Sequence, residues 1–222
     1  MLHGALGDEK QFNPLKSRVN KSQVYTLNFS GHGGRAMEPE FSISQFSEEL
    51  RTFIDGISED DVYIFGYSMG GYVALDLVSQ GYEKIKGIIT LGTKFDWTPE
   101  SVSRELKMLN PDKIQEKLPG FAQILKNRHA PVDWRENLKR TGEMMATLGE
   151  GAALSEMDFN KIQTPVLLMV GGQDNMVSEE ETVITSDRIP GSKYIILENF
   201  EHPLEKIDKD TVAFIIEDFI GE

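Results

Sequence analysis

The stretch VYIFGYSMGGYVALDLV places Ser68 between Gly66 and Gly70, with an apolar run before it and an apolar helical pattern after it. A strand that turns sharply into a helix crowds its neighbours, so glycines flank the turn and the central residue takes a strained backbone. A serine held there has its hydroxyl lifted above the sheet. The next amide, Met69 N–H, faces the same space, where the helix N-terminus adds partial positive charge. Such a hydroxyl still needs a base to become a good nucleophile. The chain has four histidines, and His202, in NFEHPLEK, lies just after the last apolar run, where it can reach across strand ends to Ser68. Asp174, in VLLMVGGQDNMV, follows the apolar run 166–170. A carboxylate there would orient the imidazole and stabilise the imidazolium formed during reaction. Taken singly, each has a plainer reading: a bystander serine in a glycine-rich turn, a loop histidine, a turn aspartate. The order nucleophile, acid, base, each at a strand's C-terminal end, favours the joint reading.

These three residues need a rigid scaffold. Short runs at 24–28, 61–66, 86–92, 164–172 and 193–197 are β-branched or apolar and read as strands buried on both faces of a parallel sheet. Between them lie amphipathic helices. One stripe is Ile43, Phe46, Leu50, Phe53, Ile54 and Ile57, opened by Ser42 and Gln45 as a capping box and closed near Gly56. Another is Val212, Ile215, Ile216 and Phe219. The alternation predicts an α/β architecture with helices on both faces of a mostly parallel sheet. From 96 to 157 it breaks into TPESVSRELKML, PDKIQEKLPGFAQILKNR and DWRENLKRTGEMMATL, punctuated by prolines. This interval reads as a helical lid inserted into a core made of residues 1–95 and 158–222.

Composition narrows the partners. The 222 residues, 39% hydrophobic and 27% charged, suit one large globular domain. Cysteine is absent, which excludes disulfides, thiolate metal sites and a cysteine nucleophile. A net charge of −13 argues against nucleic acid, whose phosphates need clustered Lys and Arg, and would repel anionic lipid. No apolar run is long enough to cross a bilayer, and the start lacks the pattern of a secretory signal. A cytoplasmic protein acting on a small molecule is expected, with a homo-oligomer left open.

The motifs HGALG, GHGG, GYSMGG, GGQDNMV and EHP, spread from residue 3 to residue 203, resemble the α/β-hydrolase fold superfamily, especially its small-lidded, esterase-like serine hydrolases. The resemblance implies that Ala5, the residue after the first His-Gly, donates one oxyanion-hole amide beside that of Met69. Losing one such donor costs about 3–4 kcal/mol of barrier lowering. It also implies a hydrolase for a small ester, thioester or amide-like substrate that works through Ser68, Asp174 and His202 without metal or organic cofactor. A lyase or carbon–carbon hydrolase on the same fold is an alternative, as is a non-catalytic binding protein, because the pocket sets the chemistry. Leu6, Phe95, Trp97 and Met176 are candidates for the substrate pocket; for the last three, packing between lid and core competes with that role. His32 reads as structural. Arg35 reads as a solvated residue or a contact for an anionic substrate, and RHAPVDWRENLKR reads as lid surface.

The start of the chain raises a structural difficulty. In the resembled fold the His-Gly loop follows a strand between those at 24–28 and 62–67, and here only Met1 and Leu2 precede it. The N-terminal strands of the fold are therefore expected to be missing. Each buried backbone group left unpaired costs about 1–3 kcal/mol. Against a total stability of about 5–15 kcal/mol, a bare hole is untenable. Either the neighbouring segments close it, another chain pairs with it, or upstream residues of the natural protein are lacking.

Overall fold

A computed structural model describes residues 1–221. Short helical turns, Glu9–Phe12 and α1 (Asn13–Lys16), lead through an extended segment to α2 (Ile43–Asp55). The core then alternates β1 (Val62–Tyr67), α3 (Met69–Ser79) and β2 (Ile85–Leu91). Four helices follow: α4 (Pro99–Met108), α5 (Pro111–Lys117), α6 (Pro119–His129) and α7 (Trp134–Thr147). The short α8 (Glu156–Asn160), β3 (Val166–Gly171), α9 (Glu179–Arg188), β4 (Lys193–Leu197) and α10 (Lys209–Gly221) complete the chain.

The sheet is wholly parallel in the order β1-β2-β3-β4. Side chains of a strand alternate between faces, and here that alternation divides the core in two. Ile64, Ile88, Val166 and Leu168 join Phe46, Leu50, Val73 and Leu75 of α2 and α3 on one face. Phe65, Ile89, Leu167 and Met169 join Leu15 of α1 and Val212 and Ile216 of α10 on the other. Helices therefore cover both faces, as the apolar runs predict. The α3 helix is apolar all round because it is enclosed by the sheet, α2 and α8. Ser42 caps α2 by accepting Gln45 N–H, and Gly56 ends it.

Several expectations need correction. The segment 24–28 is not a strand; only Leu27 pairs, through a single parallel bridge to Leu2. The strand β4 is not buried on both faces, since it lies at the sheet's edge with Lys193 and Tyr194 exposed. The helical run expected at 111–128 is broken at Leu118, whose backbone leaves the helical region just before Pro119. RHAPVDWRENLKR is no mere surface: His129, Trp134 and Leu138 are buried, the last two in a small core with Ile114 and Leu125.

Leu2 supplies one rung where a strand was expected to be absent. Its N–H donates to Phe65 O at 2.9 Å, its carbonyl accepts Tyr67 N–H at 2.9 Å, and it bridges Gly66 and Leu27 in parallel. Beyond that rung the neighbours do not close up. A cavity of about 280 Å³, walled by Val24, Tyr25, Tyr63, Phe53 and Ile216, separates the segment before Leu27 from β1.

Candidate active site

The turn from β1 into α3 has the strain that its sequence predicts. Ser68 sits at φ 50°, ψ −119°, a left-handed conformation rare for a residue with a side chain. The flanking glycines are required by contact. A Cβ on Gly66 would lie 2.4 Å from Gly71 Cα, and one on Gly70 would lie 2.4 Å from Leu2 O.

Asp174 follows β3 and is saturated with donors. One carboxylate oxygen accepts Met176 N–H at 2.8 Å and Val177 N–H at 2.9 Å, while the other meets His202 Nδ1 at 2.7 Å. The pair is enclosed, with side chains 1% and 9% exposed. Three donors on one carboxylate fix it in place. With Nδ1–H given to Asp174, the neutral imidazole keeps its lone pair on Nε2. Tyr67 fixes the other side of the loop by donating its hydroxyl to His202 O at 2.9 Å. Gly92, at φ 60°, leaves room for the pair, since a Cβ there would come within 3.2 Å of both. Ser68 and His202 line one pocket together with Ala5 and Met69. No hydrogen bond joins Ser68 Oγ to His202 among the described residues, and such contacts often tighten only when substrate binds.

The His-Gly loop is anchored from beneath. Gly4 O accepts His3 Nδ1–H at 2.8 Å and Gly7 N–H at 3.1 Å. In a trans peptide the N–H points opposite to the C=O, so Ala5 N–H is turned away from His3. Gly4 lies against the serine, a Cβ on it falling 3.0 Å from Ser68 Cβ. His3 Nε2 accepts Phe29 N–H at 3.2 Å, which fixes the neutral tautomer. Burial pulls the His3 pKa down to about 4. Leu6 also takes a left-handed backbone, φ 59°, and its carbonyl is held by Arg128 Nη1 at 2.8 Å and His129 Nε2 at 3.2 Å. His129 Nδ1 in turn accepts Gly33 N–H at 3.3 Å. Two adjacent residues of α6 thus hold the loop that carries Ala5.

Of the expected pocket residues, Trp97 and Met176 line the cavity at Ser68. Leu6 does not; its side chain packs on the small core formed by α5, α6 and α7. Phe95 packs against Tyr72 and Phe159 instead. His32 is fully buried between Phe41 and His3, in keeping with a structural role. Arg35 is exposed, in keeping with its solvated reading, but its guanidinium is not free for an anion, because it pairs with buried Glu49 at 2.8 Å and donates to Asn28 O. Sequence reasoning missed Lys94 and Glu105, an enclosed ion pair at 3.4 Å in the pocket wall, and also Arg128 and His129. Lys94, just after β2 and next to two aromatic candidates, could have been noticed. Glu105 carries no signal in an otherwise charged helix. No group of three or more His, Cys, Asp or Glu side chains is placed to hold a metal ion among the described residues.

A parallel sheet between two helical layers, with a strained serine turn after β1 and an Asp–His pair after β3 and β4, defines an α/β-hydrolase. Residues 1–209 match the family described as serine aminopeptidase, S33, and the chain belongs to that family. The match bears out the expectation of an esterase-like α/β-hydrolase enzyme. A pimeloyl-[acyl-carrier protein] methyl ester esterase of Aeromonas hydrophila is 24% identical over 244 residues, an alignment covering 100% of this chain and 94% of the relative. Among solved structures, E-2-(acetamidomethylene)succinate hydrolase is similar with a TM-score of 0.81 at 14% identity, covering 100% of this chain and 90% of the other. The enol-lactonase from Burkholderia xenovorans LB400 is similar with a TM-score of 0.76 at 17% identity, covering 100% and 90%.

Proposed function

We propose that the protein hydrolyses a small carboxylic ester through an acyl-enzyme. His202 Nε2 takes the proton of Ser68 as its Oγ attacks the ester carbonyl. The carbonyl oxygen gains the negative charge and is held by Met69 N–H and Ala5 N–H, with the α3 N-terminus behind them. The alcohol leaves with the proton that His202 returns. Water then repeats the cycle: His202 accepts its proton, the acyl–serine bond breaks, and the free acid departs. Asp174 keeps Nδ1–H in place throughout. The helices between 96 and 157 act as the lid, since Trp97, Glu105 and Met144 wall the pocket over the serine.

The observation that carries this reading is the enclosed Asp174–His202 bond beside a serine at φ 50°. The name of the Aeromonas relative, a methyl ester esterase, supports an ester with a small alcohol as leaving group. A fluorophosphonate probe tests the mechanism. Stoichiometric labelling is expected on wild type and none on Ser68→Ala, whose ester hydrolysis should fall by roughly 10³-fold or more. A folded wild type that takes no label would point to a binding protein on this scaffold.

A further inference from the structure

The pocket beside Ser68 carries more hydrogen-bond donors than it uses. Its walls are chiefly apolar, with Ile43, Met144, Leu148 and Met176 among them, and it is narrow, about 40 Å³. Set into this wall are Tyr72, Lys94, Trp97 and Glu105. Trp97 Nε1 is buried and has no hydrogen-bond partner. Tyr72 Oη accepts Leu154 N–H at 2.7 Å, which leaves its own hydrogen unspent. The Lys94 ammonium meets Glu105 at 3.4 Å and Met176 O at 3.2 Å, two uses for three hydrogens. Burying a donor without an acceptor is costly, and native proteins do so rarely, so the unpaired Trp97 N–H in this wall is unusual unless a ligand completes it. The same wall offers a single carboxylate, Glu105, which the lysine already holds.

We infer that the acyl group of the substrate carries a neutral oxygen acceptor, a ketone, ether or second ester, which is received by Trp97 N–H and the Lys94 ammonium. This deepens the esterase reading and rests on it. Neutrality follows from charge. Lys94 is balanced by Glu105 and lies within electrostatic reach of Glu181, whose carboxylate accepts Phe95 N–H at 3.1 Å. A carboxylate brought to this wall would be a further negative charge for a lysine already paired. A plain alkyl chain would fill the apolar part but leave the buried donors empty. A neutral oxygen satisfies them and adds no charge.

The test compares p-nitrophenyl 4-oxopentanoate with p-nitrophenyl pentanoate, esters matched in length, leaving group and carbonyl position. Wild type should favour the keto ester in kcat/KM by roughly tenfold, equivalent to about 1.4 kcal/mol. In Trp97→Phe, which keeps an aromatic ring and removes the N–H, the ratio should fall toward one, and Lys94→Met should lower it as well. Equal rates for the two esters on wild type would overturn the inference while leaving the esterase reading intact. So would a preference for the half-ester p-nitrophenyl succinate over the keto ester, because it would mean that the site reads a carboxylate. Titration of both esters into Ser68→Ala protein, followed by tryptophan fluorescence, makes the comparison independent of turnover. A keto ester that binds no tighter than the alkyl ester there counts against the subsite, even if the wild type proves to hydrolyse neither.

Discussion

Ser68 and His202 line one pocket, with Asp174 bonded to His202, but the groups that steady the His-Gly loop beside them come from elsewhere. Leu6 holds a left-handed backbone whose carbonyl is gripped by Arg128 and His129, more than a hundred positions along the chain. A charged donor to a carbonyl contributes about 1.5–3 kcal/mol, enough to hold a strained peptide in place. Arg128→Met should therefore loosen the loop carrying Ala5 and act on the transition state more than on binding. A kcat lowered by roughly tenfold, with KM within about twofold of wild type and partial recovery in Arg128→Lys, is expected from steady-state kinetics. A raised KM with unchanged kcat would show that Arg128 serves substrate binding instead.

The elements that carry these residues meet at close quarters, and glycine is what lets them. Gly70, in the first turn of α3, lies so near Leu2 that a Cβ would sit 2.4 Å from its carbonyl oxygen, an acceptor already used by Tyr67 N–H. Gly70→Ala must push the Leu2 rung away from β1, and so displace the His-Gly loop that follows it. A destabilisation of about 1–3 kcal/mol is expected, read as a lowered urea midpoint with an unchanged slope. Retention of the wild-type midpoint would mean that the Leu2 rung is free to move. Periodicity is a good guide where one face or the whole of an element packs into the core, as in α2, β2 and β3. It failed at 24–28 and β4 because an apolar run does not say whether a partner lies on each side. That depends on neighbours distant in sequence.

Across the whole molecule, three buried histidines tie its N-terminal loops to α6. His3, His32 and His129 lie in a row, with ring centroids 4.9 and 5.6 Å apart, the first pair tilted and the second edge to face. His3 and His129 accept backbone N–H groups, from Phe29 and Gly33, which demands neutral rings. Burial drives the pKa of His3 and of His129 down to about 4, and that of His32 well below the usual value; nearby Arg128 pushes the same way. The unfolded chain takes up protons near pH 6.5, and the folded protein refuses them. Stability is therefore full above about pH 6.5 and falls as pH drops toward 4, by up to about 1.4 kcal/mol per histidine per unit. Asp8, Asp76 and Glu181, whose pKa values burial raises, push the other way as they take up protons. The urea midpoint should be clearly lower at pH 5 than at pH 7, and equal midpoints would contradict neutral burial of the cluster.

Sequence alone was enough for the alternation of strands and helices, the serine turn and the order of Ser68, Asp174 and His202. These depend on local backbone preference and on which runs are apolar, and both are written in consecutive residues. It could not place Lys94 against Glu105, Arg128 on the carbonyl of Leu6, or Arg35 on Glu49, nor show that Leu6 and Phe95 are not in the lining of the serine pocket. Each of these contacts joins side chains from separate elements. The distance between such groups exists only once the sheet and its covering helices have packed, so tertiary structure alone decides what the pocket can recognise.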